Sequence, residues 1–193
     1  MATADILFYF DFVDPLSWVV EQALGRFHPS GGQVSVRPVA LELRPPPTPL
    51  LDPDGAWWKR RRQEAAALAD ELDLSPGAEP RLIPWSRKAH ELAAYAHASG
   101  VGDEVRLAIF EAFFRRGEDV GRVDVLVRLA EGLGLEHTAV KAALDVDRYA
   151  EQIVREGALA REAGVGEPPV LAGDDAALQP FRKHDGLRTF LRP

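Results

Sequence analysis

The chain contains no cysteine. That absence excludes disulfide staples, catalysis by a thiolate of the chain's own and cysteine metal sites, all outright. Positive charge is not in excess either: Lys and Arg total 23 against 30 Asp and Glu, a formal net charge of -7. A binder of phosphate backbones wants a basic face, so nucleic acid is not an expected partner. No apolar run approaches the ~20 residues needed to cross a bilayer. No basic segment with a long apolar stretch behind it opens the chain, so no membrane partner is expected and the location expected is cytoplasmic. There is no glycine-rich phosphate loop after a strand and no Gly-x-Ser-x-Gly elbow. His28, His97, His137 and His184 share no ligand spacing with one another or with carboxylates, so no metal is expected.

What is present is organised around Ile6 to Ala23, ILFYFDFVDPLSWVVEQA. Ile6 to Phe10 is a short apolar and aromatic run rich in strand formers and reads as a central buried strand. Asp14-Pro15 is a helix start: Asp accepts from first-turn amides, and Pro suits the first helical position because it has no amide to leave unpaired. From Leu16, apolar residues at Val19, Val20, Ala23 and Phe27 share one helix face. A strand therefore runs straight into a helix N-terminus, where free amides and the helix dipole favour negative charge. Taken alone, Asp14 reads first as a plain cap, since caps are common.

Val34, Val36, Pro38 and Val39 follow as a second strand, with Pro38 indicating an edge strand or the strand's end. Arg44-Pro45-Pro46-Pro47-Thr48-Pro49 is a stiff connector that cannot be helical. From Ala56 to about Leu144 the apolar period is ~3.6, which predicts helices over Trp57 to Leu72 and over Arg87 to Ala98, the latter capped by Ser86 and stopped by Gly100. A third carries Val105, Ala108, Ile109, Ala112 and Phe113 on one face, a fourth Val125, Leu126, Leu129, Ala130 and Leu133, and a fifth spans Thr138 to Leu144. Asp147 is expected to cap a long helix reaching about Ala163, ended by Gly164. Val165 to Gly173 reads as a tight turn into a short strand, and Asp185 to Leu191 as a closing amphipathic helix beside Phe181.

The order and spacing of these pieces resemble the DsbA-like thioredoxin-fold family, its FrnE-like branch above all and 2-hydroxychromene-2-carboxylate isomerases more distantly. The resemblance covers nearly the whole chain. It rests on the opening strand and turn, Arg37-Pro38 and Leu43 before the proline run, Pro84-x-Ser86-Arg87, and Phe110-x-Ala112-Phe113-Phe114 with Gly117 and Asp119-Val120-Gly121. Leu129-Ala130 to Gly134-Leu135, and Gly164-Val165 leading to Pro168, complete it.

The resemblance implies an α/β thioredoxin-like fold with an inserted all-helical domain: residues 1–50 and 146–193 form the discontinuous thioredoxin-like domain and residues 51–145 the insertion. It places the active site at the first helix N-terminus, where Asp14-Pro15-Leu16-Ser17 stands for the Cys-Pro-x-Cys of redox members. Thiol–disulfide exchange needs a thiolate as attacking group, so this chain cannot run it alone.

Two readings follow. In the first, glutathione or another thiol is a cofactor and the protein is an isomerase or transferase, with Asp14 and Ser17 catalytic and Pro15, Trp18, Trp85, Glu167 and Pro168 binding the ligand. Pro168 matches the family's cis-proline, so Glu167 offers its backbone to an extended ligand. In the second, the protein is a non-catalytic module that binds a peptide or a small acid in the cleft. A homodimer is compatible with both. Lys59-Arg60-Arg61-Arg62 reads either as an anion clamp or as a solvated helix face. His90 reads as a pocket acid/base or as a packed side chain.

Overall fold

The structure is a computed structural model and describes residues 4–27, 34–173 and 179–180. Strand β1 (Ala4–Phe10) alternates, with Ile6, Phe8 and Phe10 buried on one face and Leu7 and Tyr9 half-buried on the other. Helix α1 (Pro15–Phe27) carries the chain over the first face into β2 (Val34–Ala40), which lies parallel to β1 with Phe8 opposite Pro38. The sheet order is β2-β1-β3-β4, where β3 (Val170–Ala172) runs antiparallel to β1 and β4 (Gln179–Pro180) antiparallel to β3. Among the described residues β2 is thus an edge, the place where the missing amide of Pro38 costs no inner ladder bond.

Six helices lie between β2 and β3: α2 (Ala56–Leu72), α3 (Arg87–Ala98), α4 (Gly102–Phe114), α5 (Val123–Gly132), α6 (His137–Asp145) and α7 (Ala150–Glu162). One core runs from Ile6, Phe8 and Phe10 through α1 into α2 to α6, with Trp18, Trp58 and Phe110 among its largest side chains. Leu41, Ala160, Val165 and Val170 form a smaller core against which Tyr9 packs, which gives α7 its seat on the far face of the sheet.

The structure corrects three local expectations. Ser86 makes no side-chain cap bond, because its own backbone is already α-like (φ -88°, ψ 0°) and its carbonyl starts the α3 ladder by accepting from His90 N at 3.0 Å. Asp147 does not cap α7, which begins three residues later. It takes a left-handed conformation (φ 53°) and its carboxylate accepts from Lys88 Nζ instead. Leu133 is not on the buried face of α5; it follows the last turn and is 37% exposed, leaving Leu126, Val127 and Ala130 as the stripe. The expected closing helix and Phe181 lie outside the described residues. No helix among those described is long and apolar enough to cross a membrane.

Candidate functional site

Asp11 to Ser17 form the turn that joins β1 to α1. Asp14 N donates to Asp11 O at 3.1 Å, Pro15 occupies the first helical position, and Asp14 Oδ2 accepts from Ser17 N at 2.8 Å, which is the cap the sequence predicts. The same Oδ2 accepts from Ser17 Oγ at 2.7 Å, and Ser17 Oγ in turn accepts from Asp11 N at 3.3 Å. Asp14 and Ser17 are both fully buried.

The remaining oxygen of Asp14 is taken by the helical segment. Arg61 Nε donates to Asp14 Oδ1 at 2.8 Å, Arg61 Nη2 donates to the carbonyl of Pro168, and Nη1 lies 3.9 Å from Glu167 Oε2. The guanidinium carbon sits 5.7 Å from the centre of the Trp57 ring, within cation–π range. Burial pushes the Asp14 carboxyl above its usual range, and the nearby Arg61 charge and the bonds from Arg61 and Ser17 offset only part of that. The helix N-terminus is therefore filled from within by an ion pair and offers no open group to a thiol.

The loop before β3 differs from expectation by one residue. Its cis bond is Pro168–Pro169, not Glu167–Pro168. Pro168 has no amide to donate and its carbonyl is engaged by Arg61, so the backbone there has neither a donor nor a free acceptor for an added strand. Glu167 is half-exposed and paired with Arg61.

The two tryptophans expected at the ligand are elsewhere. Trp18 is fully buried, stacked on Phe114 with ring centres 5.9 Å apart at 8°, because its position on α1 faces the core. Trp85 is 39% exposed in a separate groove with Leu50 and Leu82, and its Nε1 donates to Thr48 O at 2.9 Å. Pro15 is buried beneath the turn and contributes geometry alone.

Behind the turn lies a second polar cluster. Asp11 Oδ2 accepts from Leu43 N at 2.6 Å, and Asp11 Oδ1 lies 3.4 Å from His90 Nε2. His90 packs among Phe10 and Phe12, with ring centres 5.2 and 4.8 Å away. Next to it, Glu42 is held by Arg87 at 2.6 Å, and burial pushes the Glu42 carboxyl up against the pull of Arg87 and His90. Among the described residues no group of three or more acidic or histidine side chains could hold a metal.

With that geometry in hand, a family model described as a DSBA-like thioredoxin domain matches residues 5–190. The chain belongs to the DsbA-like thioredoxin family. Within it, the chain is 31% identical over 153 residues to the uncharacterized protein YwbO of Bacillus subtilis (strain 168), covering 76% of this chain and 74% of that protein. Its fold is similar to that of a 2-hydroxychromene-2-carboxylate isomerase, with a TM-score of 0.76 at 18% identity, covering 97% of this chain and 91% of that one. It is also similar to the cytosolic disulfide reductase DsbM from Pseudomonas aeruginosa, solved with GSH, with a TM-score of 0.67 at 18% identity and coverage of 97% and 96%.

The DsbA-like site differs from its sequence reading in one side chain above all. Arg61 stood within a four-residue basic run, and the signal that singles it out is periodic: Trp58, Arg61, Arg62, Ala65, Leu68, Ala69 and Leu72 are the buried positions of α2. Two arginines in an apolar stripe must find partners inside, and Arg62 finds Glu79 Oε1 at 3.0 Å and the carbonyls of Pro76 and Gly77. Asp11 and Glu42 had no such signature, since each sits at the end of a strand where a loop acid looks ordinary.

Proposed function

We propose that this DsbA-like protein is a cysteine-free module that binds a small acid or a peptide beside the proline loop without thiol chemistry at the helix N-terminus. The single observation that supports this is the full burial of Asp14, with both carboxylate oxygens committed to Arg61 and Ser17. An open groove of about 280 Å³ adjoins the loop, lined by Arg44, Arg161 and Glu167, and supplies guanidinium groups for an acidic ligand. A second reading is a glutathione- or thiol-dependent isomerase or transferase acting at the first helix N-terminus. It is favoured by the likeness to the isomerase and by the relative solved with GSH. The likeness to that cytosolic reductase likewise supports a cytoplasmic location here.

Calorimetric titration with glutathione, run on the natural chain and on Asp14→Ala, separates the two. The first reading expects no heat from glutathione with either protein and no turnover in an insulin-reduction assay. Saturable glutathione binding that Asp14→Ala abolishes would overturn it in favour of the thiol-dependent enzyme.

A further inference from the structure

A walled cavity of about 220 Å³ lies on the other side of His90, between β2, α3, the start of α4 and α7. Its floor is Phe10, Ala40, His90 and Ile153, all buried, and its walls include Pro38, Ala93 and Ala94. Arg37 and His97 stand exposed at its mouth. It shares no lining residue with the groove beside the proline loop.

The polar groups around the cavity divide into committed and uncommitted ones. Arg106 is committed: it donates to both oxygens of the buried Glu21 at 3.0 and 3.1 Å and to Asp103 at 2.6 Å. Gln152 donates to Glu156 at 2.9 Å, and Glu156 is the one acid in the lining. The side chains of Arg37 and His97 have no hydrogen bond and no ion pair with any described residue. His90, 2% exposed, has Nε2 turned toward Asp11 without a hydrogen bond of proper geometry. The cavity thus combines apolar walls with two imidazoles and a guanidinium that no described residue pairs.

We propose that this cavity is a binding site for a small monocarboxylic acid with an apolar body. Arg37 meets the carboxylate at the mouth as a bidentate fork, and His97 adds a second donor. The body lies over Phe10, Pro38 and Ile153. The site selects a monoanion, since Glu21 already compensates Arg106 and Glu156 repels a second negative charge. Its volume is below the ~300 Å³ at which drug-sized pockets begin, which fits an acid of a single ring. This inference does not depend on the function proposed above, because it concerns a different place in the molecule.

Benzoate is a suitable probe, titrated into the full chain and followed by calorimetry and by the ring signals of His90 and His97. Saturable one-site binding is expected, weakened at least tenfold by Arg37→Ala and abolished by Ala94→Trp, which fills the cavity from a half-buried position. Benzamide, which keeps the shape and loses the charge, should bind at least tenfold more weakly. Arg37 is exposed, so its variant folds independently of the cavity's packing. Absence of saturation with the natural chain, benzoate affinity unchanged in both variants, or equal binding of benzamide would each overturn the proposal.

Discussion

At the scale of single residues, Arg61 and Asp14 set the chemistry of the turn that joins β1 to α1. A buried charge left without its partner typically costs ~3–5 kcal/mol, whereas replacing both members by apolar side chains is often close to neutral. Arg61→Leu is therefore expected to lose about 3 kcal/mol of stability, and Asp14→Ala a comparable amount, including ~1 kcal/mol for the cap. The double variant should lose clearly less than the sum. Urea denaturation of the four proteins measures this, and strictly additive losses would show that the pair is not coupled. The cap was legible in Asp14-Pro15, because capping is local chemistry. The partner was not, because it comes from 47 residues away and only the stripe of α2 hinted that it points inward.

At the scale of elements, the helices were largely readable from their apolar period, and α3 has the bounds the sequence predicts. The errors arose where a side chain had a better offer from a distant element, as with Asp147, which is drawn off its helix by Lys88 of α3. The connection between α2 and α3 crosses the end of α4 in a similarly long-range way. Gly77 there has φ 81°, and a Cβ would lie 2.8 Å from Phe114 Cβ, while Ala78 N donates to Phe114 O at 2.6 Å. Gly100 shares the same φ but opens onto empty space. Alanine at Gly100 should cost ~1 kcal/mol for the left-handed backbone, and alanine at Gly77 at least ~1–2 kcal/mol more through the clash. Chemical denaturation midpoints of the two variants test the difference; equal losses would mean that the loop yields freely.

At the scale of the whole molecule, the family resemblance carried the fold because it rests on the order of many weak signals, which survives loss of the cysteines. Stability is where the buried acids act together. Asp14, Glu42 and Glu91 are each pushed above their ordinary values of 3.8, 4.5 and 4.5, burial being the largest cause in all three. Glu91 is fully buried with Lys88 Nζ 3.0 Å from its Oε1. A carboxyl raised in the folded state binds its proton more tightly there. Its contribution to stability is complete below the ordinary value and is lost as pH rises through the raised one. The melting temperature should therefore climb as pH falls through the raised values toward the ordinary ones, and Glu91→Gln should flatten that rise. A melting temperature that drops over the same interval would contradict the reading.

The Arg61 guanidinium joins three distant stretches of chain, since its partners Asp14 and Pro168 lie 47 residues before it and 107 after it. During synthesis Asp14 and Arg61 are made first and Pro168 last. At ~5–20 residues per second the wait is about 5–20 s. Until then Arg61 lacks its partner at the Pro168 carbonyl. The three-way contact can therefore close only after Pro168 has been made, late in the synthesis of the chain.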